Sequence, residues 1–103
     1  MKNEVKHFVG VDISKLTIDV ALIKNRDKSN ILSSQFENTP KGFKEMETWL
    51  RGELGTLDLQ TLFCMEYTGI YNYLLCEYLI ERNVLICVEA ALLGVGSHFK
   101  NKT

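Results

Sequence analysis

The run Phe8-Val9-Gly10-Val11-Asp12-Ile13-Ser14-Lys15 ends an apolar stretch on a carboxylate, and Leu16-Thr17-Ile18-Asp19-Val20-Ala21-Leu22 restarts it at once. Val, Ile and Phe without helical spacing predict a buried strand. A charge at the end of such a strand is expensive beside a core, so Asp12 needs a reason to be there. One reason is metal or phosphate chemistry at the rim of a sheet, where a rigid strand holds an acid still and the loops leave room for substrate. The other is an Asx-turn, with Asp12 bonding backbone N–H groups in the reversal to the next strand. Both readings fit this stretch taken alone.

With 103 residues, 46% of them hydrophobic and 24% charged, the chain has the size and balance of one globular domain with one core. The net charge of −1 supplies no electrostatic footprint for nucleic acid, since a self-sufficient phosphate-binding module is basic overall or on one face. Cys64, Cys76 and Cys87 form no CxxC and have no His at ligand spacing, so neither a zinc site nor a disulfide framework is indicated. They read as buried apolar residues of a reducing compartment. Met1-Lys2-Asn3-Glu4 precedes no signal-like segment, and no stretch is long and apolar enough to span a bilayer, so a cytoplasmic protein without membrane contact is expected.

Taken in order, the chain predicts strands over about 6–12 and 17–23, joined tightly enough to be an antiparallel hairpin, with Leu16, Ile18, Val20 and Leu22 on one face. The polar cluster 25–30 precedes a third strand over 31–36. Thr39-Pro40 is an N-cap followed by proline at the first helical position, and Phe43, Met46, Leu50 and Leu54 recur at helical spacing up to Gly55. Leu59 to Glu66 is a second apolar run closed by a carboxylate. Thr68-Gly69 opens a second helix through about Arg82, with Ile70, Leu74, Leu75, Tyr78 and Leu79 on its buried side and Asn83 as terminator. Val84 to Val88 is a fifth strand, parallel to the fourth because a helix feeds it. Residues beyond Ala90 read as a loop or fraying helix with a basic end. A chain that stops on Asn-Lys-Thr without a closing element reads as a fragment of something longer.

Three antiparallel strands, then helix, strand, helix, strand, is the pattern of the α/β ribonuclease H-like (RuvC-like) fold: a mixed five-stranded sheet with helices packed on it. In that fold the first strand is central and the fourth lies beside it in parallel, which brings Asp12 and Glu66 within reach of each other. Two neighbouring carboxylates stay ionised when a cation sits between them. A hard divalent ion such as Mg2+ or Mn2+, held by a few carboxylates, waters and substrate phosphate oxygens, suits two-metal phosphoryl transfer.

The stretch 8–22, the segment Phe36-Glu37-Asn38-Thr39-Pro40-Lys41-Gly42-Phe43 and the segment Met65-Glu66-Tyr67-Thr68-Gly69-Ile70-Tyr71 closely resemble the N-terminal domain of DEDD transposases. These are the RuvC-like enzymes of the insertion-sequence 110 family, related to pilin-gene invertases. The resemblance spans nearly the whole chain in the order and spacing of three motifs. It implies that Asp12 is the first acid of the DEDD quartet and Glu66 the second. It further implies a magnesium-dependent DNA recombinase, guided by a structured RNA and acting on the ends of an insertion element and its target, and a homo-oligomer at full length. In the family the last two acids follow a Lys-Ser/Thr segment. Lys102-Thr103 resembles the start of that segment, so 1–103 is expected to be one domain cut before the last two acids and before the C-terminal serine nucleophile. Such a piece is expected to bind magnesium weakly and to cut nothing alone, with the basic nucleic-acid surface supplied by other parts of the protein.

With the resemblance, Asp12 reads as a metal ligand rather than a turn residue. Glu66, also placed to meet the N-terminal dipole of the second helix, reads as its partner ligand. Lys15, Lys100 and Lys102 are candidates for phosphate contact, against the plainer reading of a turn lysine paired with Asp19 and a solvated tail. Asp19 itself is expected in a cross-strand ion pair. Tyr67, Tyr71 and Tyr73 fit base stacking or core packing equally, and Trp49 is expected to cap the core. His7 and His98 belong to no ligand pattern. Two rival functions remain. One is an actin-like ATPase or sugar-kinase half-domain, whose phosphate-cradling hairpin wants a glycine that Ile13-Ser14-Lys15 lacks. The other is a non-catalytic dimerisation or RNA-docking module.

Overall fold

The computed structural model describes residues 4–90. Strands β1 (His7–Ile13), β2 (Thr17–Ile23) and β3 (Ile31–Glu37) lead to helix α1 (Pro40–Leu54); β4 (Thr61–Tyr67), helix α2 (Tyr73–Ile80) and β5 (Leu85–Ala90) follow. The strands form one sheet in the order β3-β2-β1-β4-β5. β1 pairs antiparallel with β2 and β2 with β3, whereas β1 with β4 and β4 with β5 are parallel. The mixed five-stranded α/β sheet expected from the sequence is the one observed, with β1 at its centre.

Alternation along the central strands decides which face becomes the core. Val9, Val11 and Ile13 of β1, Ile18, Val20 and Leu22 of β2, and Phe63 and Met65 of β4 are buried with Phe43, Met46 and Leu50 of α1 and Leu75 and Leu79 of α2. The intervening residues Gly10, Asp12, Asp19, Ala21, Cys64 and Glu66 point to the other face, which no described helix covers. Parallel strands are ordinarily covered on both sides.

Local chemistry sets the element boundaries. Thr39 caps α1, its Oγ1 accepting from the Gly42 N–H at 3.1 Å, and Pro40 stands where no amide is needed. Gly55 ends the helix at φ 84°, and Asn83, at φ 60°, reverses the chain after α2. β4 begins at Thr61 rather than Leu59, because Asp58 holds a turn: its Oδ1 accepts from the Gln60 N–H at 2.9 Å and its carbonyl from Thr61 at 3.1 Å. Trp49 packs on Phe36, ring centroids 5.8 Å apart, at the margin of the core.

The second helix departs most from expectation. Residues Gly69–Asn72 form a 3-10 turn, and α2 covers only Tyr73–Ile80. Asn72 closes the turn ahead of the helix: its buried Oδ1 accepts from both the N–H and the hydroxyl of Thr68, and its Nδ2 donates to the Glu66 carbonyl at 3.0 Å. The α-helical ladder starts after that turn. The helical phase shifts accordingly. Leu75 and Leu79 reach the core, while Ile70 (80% exposed) and Leu74 (47%) do not. Leu16 is likewise in the β1–β2 turn and 73% exposed, not on the inner face of β2.

Helices α1 and α2 are joined by a polar cluster at their outer edge. Glu47 accepts from the Tyr78 hydroxyl, from Arg51 Nε at 2.8 Å and from Arg82 Nε at 3.1 Å, while Arg82 lies 3.8 Å over the Tyr78 ring. Burial opposes ionisation of Glu47, yet these donors outweigh it and lower its pKa from 4.5 to about 2. A depressed carboxylate stabilises the fold above its unfolded pKa and loses that contribution as pH falls through the folded one. Between pH 4.5 and about 2 the domain should therefore lose about 3 kcal/mol from this residue. Urea unfolding across that window should show the loss, and Glu47→Gln should flatten it.

Candidate functional site

The hairpin after Asp12 is held by Ser14, not by Asp12. Ser14 Oγ donates to the Thr17 carbonyl at 3.0 Å and accepts from the Thr17 N–H at 3.2 Å, while the Ser14 N–H donates to the same carbonyl at 2.9 Å. The Asx-turn reading of Asp12 is thereby corrected, because the work assigned to the carboxylate falls to a hydroxyl. Among the described residues, neither the Asp12 nor the Glu66 carboxylate has a hydrogen-bond or ion-pair partner.

Register places the two acids side by side. The β1–β4 pairing runs to Val11 opposite Met65, and Asp12 and Glu66 are the next residues on each strand. Neighbouring strands lie about 4.8 Å apart, and equivalent positions on parallel strands project from the same face. Both residues line one open concavity of about 860 Å³ on the uncovered face. Glu66 is separated from α2 by the 3-10 turn, so the helix-dipole reading loses its geometry.

Two more acids extend the pair into a row. Asp19 is registered opposite Asp12, and Glu89 opposite Glu66; both line the same concavity. Asp19 is not in the expected ion pair: its Oδ1 accepts from Gln35 Nε2 at 2.9 Å. The hairpin could have revealed its position, since a short turn at 14–16 between alternating strands sets 12 against 19. Glu89 depended on the β4–β5 register, which no local signal carries. No three acids, histidines or cysteines among the described residues converge closely enough to hold one ion. The donor set is thus a pair of hard carboxylate oxygens open to solvent. It fits a magnesium-like ion, which binds through one or two carboxylates and keeps water or phosphate in its remaining positions.

Behind the pair, Asn38 ties the two site turns together. Its Nδ2 donates to the Ser14 carbonyl at 2.9 Å, after Asp12, and to the Tyr71 carbonyl at 3.2 Å, after Glu66. The segment Asn38-Thr39-Pro40-Lys41-Gly42-Phe43 therefore has a separable task at nearly every position: Asn38 clamps the site, Thr39 and Pro40 start α1, and Phe43 enters the core.

Lys15 lies exposed in the hairpin turn and does not line the concavity, and no ion pair joins it to Asp19. Lys100, Lys102, His98 and the Lys102-Thr103 segment lie outside the described residues. Tyr67 and Tyr73 are exposed, the latter donating to Glu77 Oε2 at 2.8 Å, so they are not core residues. Burial pushes the Cys64 thiol pKa up, with Cys87 and Glu89 adding to the shift.

A family model described as transposase, of the DEDD type of insertion sequence 110, matches residues 9–93. The chain belongs to this family of DEDD transposases. The match contains Asp12, Glu66 and the 36–43 segment. No curated protein matches the chain significantly. Among solved structures, this transposase domain is similar to a protein from Bacteroides thetaiotaomicron VPI-5482 described as having an actin-like ATPase fold and unknown function. The TM-score is 0.56 at 15% identity, over 81% of this chain and 33% of that one. At that identity the likeness concerns fold alone, and the DEDD transposase chain spans about a third of the other protein's length. No described helix of the transposase domain is long and apolar enough to cross a membrane.

Proposed function

We propose that Asp12 and Glu66 are the first two acids of a divalent-metal site with which this transposase carries out phosphoryl transfer on DNA. The observation that carries the reading is the placement of two carboxylates without protein partners at matching positions of adjacent parallel strands, in one open concavity. Left without a cation, such a pair repels, so a fold that places it there is best explained by a cation between the two. Bound magnesium or manganese would polarise a phosphoryl oxygen and lower the pKa of a bound water. The chain's own part is to hold the two carboxylates on rigid strands, fixed from behind by Asn38 and Asn72. On this reading the remaining acids and a serine nucleophile come from polypeptide other than residues 4–90. The protein acts in the cytoplasm as an oligomer on DNA, with a structured RNA as guide, and residues 4–90 alone bind metal weakly and cleave nothing.

The actin-like alternative is disfavoured by the hairpin. Its Ser14 and Thr17 amides are already engaged within the turn, leaving them unavailable to cradle a phosphate. The test is a Mn2+ titration of the 103-residue chain followed by amide NMR. Broadening should begin at residues 10–13 and 65–67 and disappear in Asp12→Asn. Broadening spread evenly over surface acids, or saturable ATP binding at the hairpin, would overturn the assignment.

A further inference from the structure

One pleat below the acid row lies a second matched pair. Cys64 of β4 and Cys87 of β5 are direct partners in the parallel register, each half-buried on the uncovered face, and both are free thiols. Cys64 also lines the concavity. Cys76 differs from both: it sits on α2, on the other side of the sheet, with its Sγ 3.9 Å from Met65 Sδ. The chain's three cysteines are therefore a facing pair and a separate one.

Neighbouring strands put registered Cα atoms about 4.8 Å apart, within the roughly 4.4–6.8 Å that a disulfide spans. Registered residues on parallel strands also project in the same direction, so neither side chain has to cross the sheet. A disulfide prefers Cβ atoms about 3.8 Å apart, and closure would draw the strands together by about 1 Å. A bond closed against that resistance is readily reduced, which separates it from the structural disulfides of secreted domains.

We propose that Cys64 and Cys87 form an oxidisable dithiol, a modification site whose co-substrate is a small-molecule disulfide of the glutathione class. One thiolate attacks a sulfur of the oxidised reagent, forming a mixed disulfide and expelling one reduced thiolate. The second cysteine, as thiolate, attacks the protein sulfur of that adduct, closing the intramolecular bond and expelling the second reduced thiolate. Two electrons pass from the protein to the reagent, and the protons of the two cysteines end on the released thiols. The product pins β4 to β5 in the floor of the concavity. This assignment stands independently of metal binding by Asp12 and Glu66.

The test is incubation of the folded chain with oxidised glutathione, alkylation of remaining thiols, and peptide mass spectrometry after cleavage at acidic residues, which separates all three cysteines. The expected product is a single Cys64–Cys87 link with Cys76 alkylated, reversed by reduced glutathione. In denaturant the preference for that pairing should vanish. Cys87→Ser should accumulate glutathione on Cys64, an adduct that the parent chain resolves, and Cys76→Ser should still form the link. If Cys87→Ser does not fold, the parent chain and Cys76→Ser decide the matter by themselves. Stable glutathione adducts on Cys64 or Cys87 of the folded parent, three alkylated thiols, or linkage through Cys76 would each overturn the proposal.

Discussion

Asp12→Asn in the recombination-competent protein should lower DNA recombination by about three orders of magnitude, and Glu66→Gln by a similar factor. Each change keeps the side chain's volume and removes its charge. If bound metal contributes several kcal/mol of charge stabilisation to phosphoryl transfer, at about 1.4 kcal/mol per decade, losing one of its carboxylate ligands accounts for a defect of that size. Stability should move the other way. Asp12 has no partner to lose and faces the like charge of Asp19 across the hairpin, so Asp12→Asn should leave the unfolding midpoint unchanged or raise it slightly. An inactive variant at least as stable as its parent is the signature of a functional acid. Recombination that survives both changes would instead favour a non-catalytic dimerisation or RNA-docking module.

Gly42→Ala should destabilise the domain by about 2 kcal/mol, read as a fall in the urea midpoint. Two effects compete. Alanine gains up to about 1 kcal/mol over glycine within a helix. Against that, a Cβ at this position would fall on the backbone carbonyl of Glu37, where β3 passes under the first turn of α1. Overpacking costs about 1–3 kcal/mol and more where the neighbour cannot yield. A strand backbone paired with Thr17 of β2 is such a neighbour, so the steric cost wins. Pushing α1 from Glu37 also strains Asn38, the next residue, which holds the turns behind Asp12 and Glu66. Gly42→Ala should therefore weaken Mn2+ binding in the folded fraction as well, whereas Gly52→Ala, on an open part of the same helix, should do neither.

The readable parts of the chain were those with a local cause. The first strand, the cap at Thr39-Pro40, the apolar stripe of α1 and the reversal at Asn83 all follow from neighbours within a few residues; the cap, the stripe and the reversal lie where expected, and the strand, expected over about 6–12, runs from His7 to Ile13. Expectation and structure part where a distant partner intervenes. Helical spacing places Ile70 and Leu74 in the core, but residues 69–72 form a 3-10 turn closed by Asn72 and both side chains are exposed. Charge pattern pairs Asp19 with a cation, but the structure bonds it to Gln35 on the adjacent strand.

From its residues alone the chain yields its α/β architecture, because alternation and capping lie within continuous stretches, while its resemblance to DEDD transposases, carried by three quoted motifs, singles out Asp12 and Glu66. What the tertiary structure alone decided was company. It set Glu89 beside the pair, brought Asn38 behind both site turns, and placed Cys64 against Cys87. The physical reason is that strand register depends on how the whole inner face packs. A slip of one residue of β5 against β4 would turn Glu89 and Cys87 toward the core, and only the buried face of the sheet forbids it.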